Sequence, residues 1–121
     1  MSRAPKILAA FAALMGAAGV GLAAAGVHQN GGDLARTGAL FLLLHAAACL
    51  AVAAHARIDP QRALVAAGFI LAAGATLFAA DLAKSGFIGE RLFPMAAPIG
   101  GATMLVGWLA LAVAFALGVR R

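Results

Sequence analysis

Four long apolar runs dominate the chain, at about residues 7–27, 38–56, 63–83 and 97–119, and the segments between and beyond them hold every charge but Asp81. Each run is close to the roughly 20 residues that an α-helix needs to cross the hydrocarbon core of a bilayer. The pattern predicts an all-α integral membrane protein, a four-helix bundle forming one transmembrane domain over residues 1–121. The first run starts basic (Arg3, Lys6) and contains Ala23-Ala24-Ala25, which looks like a signal-peptidase site. It is longer than the roughly 7–15 residues of a signal h-region, so it is read as a retained helix.

The connections carry helix punctuation. Gln29-Asn30-Gly31-Gly32 reads as a turn, with Asp33 as N-cap of the second helix. Asp59-Pro60 reads as an N-cap followed by proline at the first helical position, which gives a tight turn and an antiparallel pair of helices two and three. Pro98 suits the first turn of helix four. The third connection, Lys84 to Ala96, mixes Phe87, Ile88, Leu92 and Phe93 with Lys84, Glu90 and Arg91, so it is expected to lie in the outer headgroup layer. Orientation follows from Lys and Arg in the flanks. Arg3, Lys6, Arg57, Arg62, Arg120 and Arg121 fall on one side, against Arg36, Lys84 and Arg91 on the other, six against three. Both termini are therefore expected in the cytoplasm.

Composition strengthens the membrane reading. Hydrophobic residues make up 64% of the 121 and charged residues only 11%, whereas soluble domains carry about 25% charged residues. The net charge of +5 does not indicate nucleic acid, because the basic residues flank apolar runs and form no continuous solvated face. One cysteine, Cys49, excludes an internal disulfide and a cysteine-based metal cluster.

Small residues are the most abundant signal. Ala12 with Gly16, Ala17 with Gly21, and Thr103 with Gly107 form small-xxx-small pairs, and Gly100 and Gly101 add to them. They read first as packing within one bundle and second as an oligomer interface. The polar residues are more selective. His28 ends helix one, His45 lies a couple of turns into helix two, and Asp81 closes helix three, all toward the outer side. Ionisable groups at membrane depth suggest a site, so these three form the candidate polar site. The plainer reading of His45 is an interhelical hydrogen bond, and that of Asp81 is a hydrated charge at a helix end near Lys84. His45 shares a stripe with Phe41, Cys49 and Val52. It is expected to be buried and neutral, bonded across helices to groups that include the backbone around Pro98 to Gly101. Trp108 is expected at the lipid face or the interior rim.

Haem ligation by His28 and His45 fits poorly, since the two should differ in depth by roughly 10 Å. No metal-ligand spacing, catalytic triad, carboxylate pair or phosphate loop occurs in the sequence. No metal, no cofactor and no enzymatic activity are expected.

Gly26-Val27-His28, His45-Ala46, Gly74 with Phe78, Pro98-Ile99-Gly100-Gly101 and Gly107-Trp108 occur in that order. Over about residues 16 to 114 the chain resembles the small bacterial inner-membrane proteins grouped as domain of unknown function 423, the YgdD-like family. That family usually carries Phe-Ser-Gly-Ser-Leu-Tyr where this chain reads Phe78-Ala79-Ala80-Asp81-Leu82-Ala83, and Thr where Ala97 stands. The resemblance implies a four-helix, multi-pass protein of the bacterial inner (plasma) membrane without assigned activity.

The expected role is a non-enzymatic structural or accessory membrane component. Its partners are the phospholipid bilayer and either further copies or a larger membrane complex. The alternative is a minimal transporter or small-molecule binder with an outer-side pocket around His28, His45 and Asp81.

Overall fold

The computed structural model describes residues 3–29 and 31–118. Four α-helices follow in order: α1 (Ala4–His28), α2 (Gly32–Ile58), α3 (Arg62–Ile88) and α4 (Ala96–Leu117). All four are long and apolar enough to cross a membrane. At 22 to 27 residues they reach beyond the ~30 Å hydrocarbon core. Arg120, Arg121, Val119 and the turn residue Asn30 lie outside the described residues.

The helices extend past the apolar runs because their polar ends still form backbone bonds. α2 starts at Gly32, so Asp33 stands in its first turn, where it pairs with Arg36 at 3.3 Å, and is not its N-cap. α3 starts at Arg62, with Gln61 as its extended N-cap. Asp59 instead closes α2, and its carboxylate accepts a 2.8 Å bond from the Gln61 amide. The expected long third connection is short, because α3 runs on to Ile88 and stops at Gly89, whose φ of 85° is open to glycine at little cost.

α3 is the hub of the bundle. α1 and α2 pair, both touch α3, and among the described residues the backbone of α4 approaches α3 alone. The core is made of small side chains set around a few large ones, with Leu8, Leu64, Leu71 and Cys49 fully enclosed. Without a hydrophobic force between helices in lipid, association depends on close van der Waals packing, which small residues permit. α3 and α4 approach each other most closely at Gly74 of α3 and Gly100 of α4. A Cβ on Gly74 would lie 2.7 Å from the Met104 amide nitrogen, and one on Gly100 would lie 2.7 Å from the Phe78 amide nitrogen. Backbone therefore rests on backbone. One helical stripe further, Gly107 is buried against Leu71.

The other small residues divide. Gly16 faces Ala46 of α2 with room for a methyl group, since a Cβ there would be 3.9 Å away. Gly21 and Gly101 have nothing within 4 Å of a Cβ, so they are not packing positions between helices of this chain. Thr103 spends its hydroxyl on the Ile99 carbonyl of its own helix at 2.8 Å, a local bond that needs no neighbouring helix.

Gly100→Ala is expected to lower stability in mild detergent by about 1–3 kcal/mol, as overpacking does. Gly101→Ala should be neutral or stabilising by up to about 1 kcal/mol, because alanine is the better helix former. Thermal unfolding of both variants checks this, and equal tolerance would show that the α3–α4 backbones are not in contact.

Candidate functional site

Asp81 is completely buried about two turns before the end of α3, where the sequence suggested a hydrated charge. Its two oxygens accept from backbone: Oδ1 from the Leu92 N–H at 2.8 Å and Oδ2 from the Ala97 N–H at 3.0 Å. The Arg91 guanidinium, not Lys84, is the paired cation, 3.6 Å from Oδ2. Carboxylates need such donors when they leave water, because an unpaired buried charge is far too costly.

This arrangement satisfies the start of α4. The first N–H groups of a helix have no partner within it. Here Ala96 donates to Phe93 O at 3.2 Å, Ala97 to Asp81, and Ile99 to Met95 O at 2.9 Å. Pro98 has no N–H to satisfy. Asp81 thus acts as an N-terminal cap supplied by the preceding helix, and its negative charge suits the positive end of the α4 dipole. The same bonds hold the 89–95 connection, including Met95 at a left-handed φ of 71° that a non-glycine side chain seldom adopts.

His45 is buried in α2. Its Nδ1 lies 2.7 Å from the Phe41 carbonyl of its own helix, and its Nε2 accepts the Trp108 indole N–H at 3.0 Å. An acceptor at Nε2 facing an N–H, with a carbonyl at Nδ1, places the single ring proton on Nδ1. The partner across helices is an indole on α4 and not the backbone near Pro98 to Gly101, because that backbone is already paired. Trp108 is half-exposed at the bundle rim, and its ring meets the imidazole edge-on with centroids 5.6 Å apart. Phe41 in turn contacts Phe78 of α3 at 4.9 Å. A second imidazole, His55, meets Phe115 at 5.2 Å. Histidine–aromatic contacts therefore bridge α2 and α4 where their backbones stay apart. The buried Cys49 thiol donates to Gly68 O of α3 at 3.4 Å, while the Gln61 amide oxygen and the Thr76 hydroxyl are buried without a partner.

The three candidate residues do not form one site. His28 is exposed at the end of α1, and no hydrogen bond, ion pair or ring contact joins it to His45 or Asp81, nor those two to each other. Two clefts of about 450 Å³ each lie in the opposite half of the bundle. Among the described residues no group of three metal-ligating side chains comes together. Sequence reasoning missed Arg91 and Leu92 as partners of Asp81, and Trp108 as the partner of His45. The available signal was an acid just before a short connection leading to a proline-marked helix start.

Four membrane-length helices, latched at one end by a buried carboxylate, define a polytopic membrane protein. The chain belongs to the family described as Protein of unknown function (DUF423), whose model matches residues 8–101. The match takes in Asp81, its connection and the start of α4, and ends before Trp108. No solved structure matches the chain.

Two outcomes follow from this geometry. Asp81→Ala should destabilise the protein by about 3–6 kcal/mol, from two charge-assisted bonds of about 1.5–3 kcal/mol each. It should also open the 89–95 connection to proteases, and a protease-resistant connection in this variant would contradict the latch. Trp108 is the sole tryptophan and there is no tyrosine, so intrinsic emission reports on it. His45→Ala should move that emission to the blue, because the excited indole loses its polar acceptor, whereas His55→Ala should leave it in place.

Proposed function

We propose that this protein is a non-enzymatic structural or accessory component of the bacterial inner (plasma) membrane, with both termini in the cytoplasm. The observation that carries the reading is the use of its buried polar groups. The Asp81 carboxylate caps α4, His45 Nε2 and the Cys49 thiol join helices, and His45 Nδ1 is held by its own helix. None of these groups is left free as a nucleophile or general base would be, and the two buried side-chain atoms without a partner among the described residues, the Gln61 amide oxygen and the Thr76 hydroxyl, belong to side chains that are not basic. The outer-side pocket of a transporter or small-molecule binder loses its support for the same reason. The flanking charge counts support the orientation, and the exposed apolar faces of α1 and α4 suit lipid or a neighbouring membrane protein.

Affinity purification of the intact protein from mild detergent tests the role. A stoichiometric protein partner is expected, and a tightly retained water-soluble small molecule without any protein partner would overturn the reading. For orientation, reporter fusions at residue 121 should be active in the cytoplasm and fusions near residue 31 in the periplasm. A periplasmic C-terminus would reverse it.

A further inference from the structure

At the end of the bundle where α1 begins, α2 ends and α3 begins, the helices leave a cleft of about 450 Å³. Its lining is mostly apolar, with Val65 and Phe69 from α3 and Pro5 from α1, and Gln61 and Arg62 supply its polar part. Gln61 is 8% exposed. Its Nε2 donates to Asp59, while its Oε1 is enclosed and has no hydrogen-bond partner. A buried acceptor left without a donor is unfavourable, so the cleft is short of one hydrogen-bond donor. Arg62 beside it is exposed, and Arg3, Lys6 and Arg57 belong to the same end of the bundle and are also exposed. The site thus has an apolar slot and a cationic rim, and Gln61 in its lining carries an orphan acceptor.

We propose that this cleft binds an anionic glycerophospholipid whose headgroup carries hydroxyl donors. The phosphate pairs with Arg62, a headgroup hydroxyl donates to Gln61 Oε1, and an acyl chain lies along Val65 and Phe69. Charge complementarity selects an anionic lipid over a zwitterionic one, and the orphan acceptor selects a headgroup that can donate. The inference goes beyond the accessory role and depends only on residence in a bilayer, so either can fail alone.

Native mass spectrometry and thermal unfolding of the full chain in mild detergent test it, with three added lipids of matched acyl chains. Phosphatidylglycerol is anionic and donates, phosphatidylmethanol is anionic without a hydroxyl, and phosphatidylcholine is zwitterionic without a donor. Phosphatidylglycerol is expected to be retained through delipidation and to raise the unfolding temperature most, with phosphatidylmethanol second. Arg62→Gln should weaken both anionic lipids about tenfold. Gln61→Leu should abolish the preference for phosphatidylglycerol over phosphatidylmethanol while leaving affinity for phosphatidylmethanol in place. Because each variant is compared across lipids, a general loss of stability does not imitate these outcomes. Equal retention of all three lipids, or a phosphatidylglycerol preference unchanged in both variants, would overturn the proposal. So would equal binding of glycerol phosphate lacking acyl chains, which would mark a soluble ligand, or a dimer broken by Ala66→Trp, which would mark a second copy as the occupant.

Discussion

A bilayer core offers no water to a polar group, so each one carried into it must find its partner in the protein. That constraint organises the whole molecule. It is why the chain is helical wherever it is apolar, since a helix satisfies its own backbone. It is also why the one fully buried acid sits where two backbone N–H groups and an arginine converge on it. The start of α4 is enclosed, with Ala96 and Ala97 buried, and no water is at hand to serve its free donors. Asp81 supplies an acceptor from the neighbouring helix, and Pro98 removes one donor altogether. The connection, the helix start and the end of α3 are thereby fixed as one unit.

Within the bilayer, packing contacts bring the helices together and polar contacts select which faces meet. α4 is attached through a single helix, and that attachment rests on glycine facing glycine, which lets two backbones come within van der Waals reach. Such a seam would leave α4 free to roll about α3. The His45–Trp108 bond and the His55–Phe115 contact oppose that by tying α4 to α2 at two heights. Hydrogen bonds of this kind contribute about 0.6 kcal/mol on average in membrane proteins, so their value here lies more in orientation than in stability.

The two ends of the bundle differ in a way that follows from the same constraint. At the end holding the 89–95 connection, polar groups are matched to each other. At the opposite end, Gln61 keeps an enclosed oxygen without a donor beside an apolar cleft and a ring of basic side chains. Gln61 shares that state with Thr76, whose buried hydroxyl also has no partner, but Gln61 is the one of the two that lines a cleft.

By itself the sequence determined the class: four runs of spanning length, with every charge but Asp81 in their flanks, point to a membrane, because hydropathy and helix length are local and additive along the chain. It also singled out His45 and Asp81 as polar groups needing an account, since their cost in lipid depends only on residue type and depth. Only the tertiary structure decided what they do. Helical spacing tells which residues share a face but not which face meets another helix, so Gly21 and Gly101 looked equivalent to Gly100 and Gly107 until the packing of the four helices separated them. Asp81 looked like a surface charge because its partners lie 11 and 16 residues away, and Trp108 is 63 residues from His45. Hydrogen bonding is short-ranged and directional, and distances in space between helices are not written in the order of residues along them.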